Sequence, residues 1–245
     1  MYKVECRKLI ASPFFLLSVI ALYFVILLGI RDFYPENEIS SMLETGMGRI
    51  GLTSLPFLTT MPTAWFASEE TICTHYYQLI RSNLKSFING KLISSILIVL
   101  SSTFIYTLTM ILTGHPIGDG RFSYEGTNLL LLKHLVENNH YWLHYMCHIL
   151  VFSVIATLSP WISLIASTFT KNRYIIFLAP FVVIRFLDVF GDLTGYFWIK
   201  PSHYRLSGTN IYELGMLGTF LYAFCFLAIC QLIYRYCIRR KLRNG

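Results

Sequence analysis

The chain has 245 residues, of which 55% are hydrophobic and only 13% charged, and its mean hydropathy is +0.55. Soluble domains carry about 25% charged residues, so this composition is typical of a membrane protein and excludes a disordered chain. The formal net charge of +7 does not indicate a nucleic-acid-binding protein. A basic domain of that kind needs a long polar segment, and the sequence contains none.

Six apolar stretches approach the length at which a helix crosses a hydrocarbon core of about 30 Å. They are residues 14–30, 50–67, 92–112, 143–169, 174–190 and 214–234. Before the first of them, residues 1–12 have an amphipathic pattern that predicts a helix lying at the membrane interface. We therefore predict an all-α, polytopic membrane protein in which residues 1–245 form a single domain.

The charges of the loops predict the orientation of the six spans, which place both termini on the same side of the membrane. With the N-terminus inside, the inner segments hold thirteen basic and three acidic residues, and the outer segments hold seven basic and ten acidic residues. This asymmetry predicts a multi-pass protein with both termini in the cytoplasm. None of the six cysteines lies in an outer loop, so we expect free thiols.

The inner segment between the second and third spans, residues 68–90, predicts a short amphipathic helix on the inner membrane surface. Glu69 and Glu70 come first, apolar side chains at helical spacing follow, and Arg81 and Lys85 come last. Acidic residues at the start of a helix and basic residues at its end suit the helix dipole. Such a helix offers a docking surface for a partner.

The sequence contains no motif for nucleotide hydrolysis or for hydrolytic catalysis. The Gly-Lys pair at Gly90 and Lys91 lacks the other residues of a phosphate-binding loop, and the zinc-protease and serine-hydrolase motifs are missing. Glu69 and Glu70 resemble the paired glutamates of intramembrane proteases, but the arginine expected one turn later is replaced by Cys73 and its neighbour. We predict no catalytic residue and no cofactor on this chain.

Three histidines, His140, His144 and His148, recur every four residues and would share one face of a helix. Imidazoles at this spacing can bind a transition metal or relay protons. No acidic residue lies on the same face, and Tyr141 and Trp142 surround the point where the helix enters the membrane. This setting favours packing of amphipathic rings at the interface over a metal site.

Two charged residues interrupt the fifth span. Arg185 lies about 16 Å along a helix from its inner end, near the middle of the bilayer, and Asp188 follows three residues later. A charge at this depth is costly unless it faces protein or water. The pair is either a polar part of a translocation path, or an internal ion pair or outward-reaching arginine. We expect residues 186–200 to re-enter the outer leaflet as short helices broken at Gly191 and Gly195.

In this arrangement the chain resembles the permease subunits of ABC-2 type ABC exporters. That family has six spans, an interfacial N-terminal helix, a cytoplasmic coupling helix after the second span and short re-entrant helices before the sixth. The positions that match its coupling segment, and to which the resemblance assigns contact with an ATPase, are Glu70, Leu79, Arg81, Lys85 and Lys91. The sequence departs from the family pattern in having Thr74 in place of a glycine and Asn83 in place of a proline.

The resemblance implies a permease that dimerises with a second copy or a sister permease in the bacterial cytoplasmic membrane. A separate ABC ATPase subunit would carry ATP and Mg²⁺. ATP binding would close the two halves by rigid-body motion and open a path lined by the second and fifth spans. The expected cargo is a hydrophobic or amphipathic molecule, such as an antimicrobial peptide. Two other functions stay open from the sequence: a membrane-embedded, protease-like enzyme, and an assembly factor that does not transport.

Overall fold

A computed structural model describes residues 7, 10–31, 60, 62–64, 84–114, 138, 140, 143, 147, 150, 153–201 and 215–244 of the chain. The regular structure in these ranges is helical, with no strand among them, so the predicted all-α class is confirmed for this part of the chain. The described helices, numbered in chain order, are α1 (Pro13–Arg31), α2 (Leu84–Gly114), α3 (Leu158–Phe169), α4 (Arg173–Thr194), a short 3-10 helix (Phe197–Ile199) and α5 (Gly215–Asn244).

Three helical stretches are long and apolar enough to cross a membrane, judged by length and composition. These are Lys85–Ile105, Arg173–Thr194 and Leu217–Lys241, and they overlap the predicted third, fifth and sixth spans. A shorter apolar helix, Ser153–Phe169, lies within the predicted fourth span, and α1 covers the predicted first span. Most of the predicted second span lies outside the described residues. The chain therefore has helices compatible with a membrane protein.

The start of α1 is set by a capping serine. Ser12 lies in a bend between the helical residues Arg7 and Ile10 and the beginning of α1, and its Oγ accepts a hydrogen bond from the amide of Phe14 at 3.2 Å. Pro13 occupies the first helical position, where its missing N–H costs nothing. The break at Ser12 separates α1 from the segment that the sequence predicts to lie at the membrane interface.

The described helices bury small polar side chains and expose large apolar ones. Leu193 is 82% exposed, Phe169 73% and Phe224 72%, whereas Ser94, Ser159 and other hydroxyl residues are almost fully buried. Soluble domains show the opposite distribution. It is expected where lipid covers the outer surface and small residues let the helices approach one another closely.

Several of the buried hydroxyl groups are bonded within their own helix. Ser94 donates to the carbonyl of Lys91, Ser102 to that of Val99, and Ser167 to that of Leu164 at 2.7 Å. These hydroxyls therefore need no partner on a neighbouring helix, and they allow close packing of helices rather than marking a polar channel.

The largest described core cluster joins three helices at one end of the bundle. An edge-to-face contact between Trp161 of α3 and Tyr234 of α5 lies in it, with ring centroids 5.8 Å apart. The buried members of the cluster are Phe87, Ile88, Trp161, Leu164, Cys230, Tyr234 and Ile238. The start of α2, the middle of α3 and the second half of α5 thus meet at the same end.

A proline in the middle of α4 removes a backbone hydrogen bond, and a serine of α3 replaces it. Pro180 has no amide hydrogen, so the carbonyl of Ile176 lacks its usual donor four residues later. The hydroxyl of Ser163 donates to this carbonyl at 2.9 Å, across the contact between α3 and α4. All three residues are buried, so the hydrogen bond both satisfies the carbonyl and links the two helices.

We expect Ser163→Ala to lower the free energy of unfolding by about 1–3 kcal/mol, because it leaves the carbonyl of Ile176 buried without a donor. In a Pro180→Ala background the new amide at position 180 supplies that donor. The same serine substitution should then cost less than about 0.5 kcal/mol. The measurement is unfolding in mixed micelles with increasing SDS, followed by circular dichroism.

Ser167→Ala is the matched control for this double-mutant cycle, because the Ser167 hydroxyl bonds within α3. It should change stability little in either background. Equal costs of Ser163→Ala with and without Pro180 would contradict the proposed role of this hydroxyl.

Candidate functional site

Basic side chains gather at the end of the bundle that holds the large core cluster. The core cluster joins the start of α2, the middle of α3 and the second half of α5, so the basic residues at the start of α2 and those that follow the cluster residues of α3 and α5 lie at the same end. These residues are Lys85, Lys91, Lys171, Arg173, Arg235, Arg239, Arg240, Lys241 and Arg243. The sequence has no acidic residue in 84–100, 158–175 or 223–244, whereas the opposite end of α4 carries acidic as well as basic residues. The described bundle therefore has a basic end.

The first two turns of α2 contain two of the residues to which the resemblance assigns ATPase contact. Lys85 is exposed, whereas Lys91 is only 4% exposed and its ammonium lies 5.7 Å from the centre of the Phe87 ring. Their accessibility differs because Lys91 lies on the same face of α2 as Phe87 and Ile88, which are buried in the core cluster, whereas Lys85 does not. Glu70, Leu79 and Arg81 lie outside the described residues.

The helix α2 begins at Leu84, before the apolar run that marks the third span. The sequence predicts an inner segment up to residue 90, with a short amphipathic helix on the membrane surface, and a third span that begins separately at residue 92. In the structure the residues from Leu84 onward are helical, and Gly90 is buried. The spacing of Phe87, Ile88 and Lys91 is the signal that indicates an extended helix, since these residues fall on one helical face.

The two charged residues of the fifth span occupy different environments. Arg185 is exposed, and its guanidinium lies over the ring of Phe181 at 5.9 Å. Asp188 is 8% exposed and belongs to the buried face of α4, together with Pro180 and Ile184. The acidic member of the pair is thus the buried one, and the basic member lies on the outer surface of the described bundle.

A tight turn ends α4 at the other end of the bundle. Gly195 has a φ of 72°, a left-handed conformation that glycine adopts without strain and that terminates helices. The chain then forms the 3-10 helix, and Lys200 passes back across Gly191 so closely that a Cβ atom there would overlap the lysine Cγ. The ammonium of Lys200 pairs with the carboxylate of Asp192.

A hydrogen bond ties this turn to the last helix. The hydroxyl of Tyr222 in α5 donates to the carbonyl of Ile199 at 3.0 Å. The turn is therefore held from two sides, by the Lys200 contacts with α4 and by the tyrosine of α5. Sequence reasoning did not identify Asp192, Lys200 or Tyr222 as a group, because Tyr222 lies 23 residues from Ile199.

The expected short helices in residues 186–200 are correct only in part. The break at Gly195 is confirmed, but α4 runs through Gly191 to Thr194, and only Phe197–Ile199 forms a separate short helix. Gly191 serves the close approach of Lys200 rather than a break in the helix. A glycine can break a helix, or it can stay helical and make room for a neighbouring side chain. The sequence pattern is the same in both cases and could not distinguish them.

Histidine and cysteine side chains do not form a metal site within the described residues. No group of three or more His, Cys, Asp or Glu side chains in this part of the chain is placed to hold a metal ion. His140 is exposed and lies outside the helices, while His144 and His148 are not among the described residues. The cysteines Cys147, Cys225, Cys230 and Cys237 are free thiols.

Comparison of the chain with known protein families, with curated proteins and with solved structures finds no match. The described helices form a bundle with a basic end, an apolar outer surface and, at the opposite end, the turn after α4 that is bonded to α5.

We expect Tyr222→Phe to loosen the turn after α4, because it removes the hydrogen bond to Ile199. A hydrogen bond of this kind contributes about 0.5–1.5 kcal/mol, so amide exchange in residues 196–200 should become about 2- to 12-fold faster. Hydrogen–deuterium exchange with mass spectrometry measures this change. Tyr236→Phe is the control, because Tyr236 is 67% exposed on the same helix. Equal exchange in both variants would show that the tyrosine hydroxyl does not hold the turn.

Proposed function

We propose that this chain is the transmembrane permease subunit of an ATP-driven exporter of the ABC-2 type, powered by a separate ATPase subunit. The observation that carries the proposal is the position of the α2 start. Leu84, which follows Arg81 by three positions in the sequence, lies at the basic end. The coupling segment recognised in the sequence thus leads directly into the basic end, with Lys85 exposed beside it.

The basic end supports an orientation in which it faces the cytoplasm, since basic residues are concentrated on the inner side of membrane proteins. Both termini are then cytoplasmic, and an ATPase subunit reaches the coupling segment from the same side. ATP and Mg²⁺ belong to that subunit, because the sequence of this chain has no phosphate-binding loop. The membrane we propose is the bacterial cytoplasmic membrane.

The exposed position of Arg185 supports a path formed with a second permease copy or a sister permease. Arg185 follows Arg173 by twelve positions, which places it about 18 Å along α4 from the basic end. Its contact with Phe181 directs the guanidinium back toward the middle of the helix rather than toward the nearer end. A charge so placed is costly in lipid, which favours cover by protein or by a water-filled path.

The proposed cargo is a hydrophobic or amphipathic molecule, with an antimicrobial peptide as the leading class. The described helices have a large apolar outer surface, and connections such as residues 170–172 are short. We therefore expect the membrane helices to bind the cargo. Transport by rigid-body motion of two halves suits such a chain, because its helices are packed as a unit.

The first test is purification of the tagged chain from its native membrane in a mild detergent, with mass spectrometry and an ATPase assay on the product. We expect a soluble protein with a phosphate-binding loop to accompany the chain at comparable stoichiometry. Recovery of the chain alone, without nucleotide hydrolysis, would overturn the proposal in favour of a membrane-embedded enzyme or an assembly factor.

We expect the double substitution Glu70→Ala and Arg81→Ala to uncouple ATP hydrolysis from export. Coupling between two sites is typically about 1–3 kcal/mol, so export should fall by about 5- to 150-fold while the chain remains in the membrane. The measurement is cargo export and cargo-stimulated ATPase activity of the complex in proteoliposomes. Lys171→Ala is the matched control, because Lys171 is an exposed basic residue at the same end, outside the coupling segment. Unchanged export in the double variant would contradict a coupling role for this segment.

A further inference from the structure

The last turns of α5 have two opposite faces with different environments. Cys230, Tyr234 and Ile238, spaced four residues apart, are buried in the core cluster and fix the rotation of the helix about its axis. The opposite face carries Ile229, Leu232 and Tyr236, which are 56%, 67% and 67% exposed. At 100° per residue, Arg239 and Arg243 continue this exposed face, and both are exposed.

One line of side chains on the outside of α5 therefore changes from aliphatic to aromatic to cationic. Ile229 and Leu232 come first, Tyr236 follows, and Arg239 and Arg243 come last. This is the order that a lipid-facing helix surface shows as it passes from hydrocarbon to headgroups. At 30 residues, α5 is about 45 Å long, which exceeds a hydrocarbon core of about 30 Å and brings its last turns to the headgroup level.

The arginines on this part of α5 repel one another. Arg235, Arg239 and Arg243 are spaced four residues apart, an arrangement in which like charges destabilise a helix. The sequence of α5 contains no acidic residue that could pair with them within the helix. An external anion would relieve this repulsion, and a guanidinium is suited to bind the oxygens of a phosphate in a bidentate manner.

We propose that Arg239 and Arg243, flanked by Arg235 and Arg240, bind the phosphate groups of anionic phospholipids in the leaflet at the basic end. A lipid is favoured over a protein partner because the arginines continue the same exposed face as Ile229 and Leu232. The inference rests on the membrane placement in the proposed function and is independent of any ATPase.

The test uses the purified full chain, without other subunits, in nanodiscs of mixed phosphatidylglycerol and phosphatidylcholine. Native mass spectrometry measures the ratio of the two lipids retained on the released protein. We expect a preference for phosphatidylglycerol that falls about 25-fold in the double variant Arg239→Gln and Arg243→Gln, given a contribution of about fivefold from each arginine. The matched control is Lys85→Gln with Lys171→Gln, which removes two exposed basic residues at the same end, one at the start of α2 and one in the connection between α3 and α4.

Each outcome decides the inference. Loss of the preference in the arginine variant but not in the lysine control supports it, whereas an equal loss in both overturns it in favour of a general charge effect. Displacement of the retained phosphatidylglycerol by millimolar inorganic phosphate would overturn it in favour of a free-anion site. The same preference in wild type and arginine variant would overturn it outright. Failure of the exporter proposal would be seen in a different experiment, as the absence of an ATPase from the complex purified from the native membrane.

Discussion

The described bundle depends on the burial of α3 from several sides at once. This helix contacts α2, α4 and α5, and every residue from Leu158 to Leu164 is buried. A helix enclosed in this way needs side chains of mixed size, and α3 combines a fully buried Trp161 with serines that allow close approach. The positions of α2, α4 and α5 relative to one another follow from their common contact with this one helix.

Enclosure of α3 places polar groups where water cannot reach them. Ser163 meets this problem by donating to the carbonyl that Pro180 leaves without an amide, so one polar group satisfies another. The hydroxyl of Ser159 and the indole N–H of Trp161 find no hydrogen-bond partner within the described part of the chain. Each such group costs about 1–3 kcal/mol, which the dense packing of α3 must offset.

The two ends of the bundle differ in charge and in construction. One end collects basic side chains around an aromatic and aliphatic cluster, and the other is closed by a turn that Gly195, Lys200 and Tyr222 hold in place. This polarity connects the exporter proposal with the lipid inference. An ATPase and anionic lipid headgroups would both be found at the basic end, but they would meet different helices, α2 and α5.

The sequence by itself determined the helical class and the location of α2, α4 and α5. The thickness of a hydrocarbon core sets the length that an apolar run needs to cross it. That length is visible in the sequence without any knowledge of tertiary contacts. The excess of basic residues in the predicted inner segments also followed from the sequence, as did the helix stop at Gly195. The coupling residues Glu70, Leu79 and Arg81 remain predictions from the sequence.

Only the tertiary structure decided which side of each helix is buried. Lipid-facing and protein-facing positions are both apolar in such a chain, so hydrophobic periodicity does not separate them. The burial of Lys91 beside an exposed Lys85, and of Asp188 beside an exposed Arg185, therefore could not be derived from spacing. Contacts between distant residues, such as Ser163 with Ile176, exist only once two helices pack, because their donors and acceptors lie on separate elements.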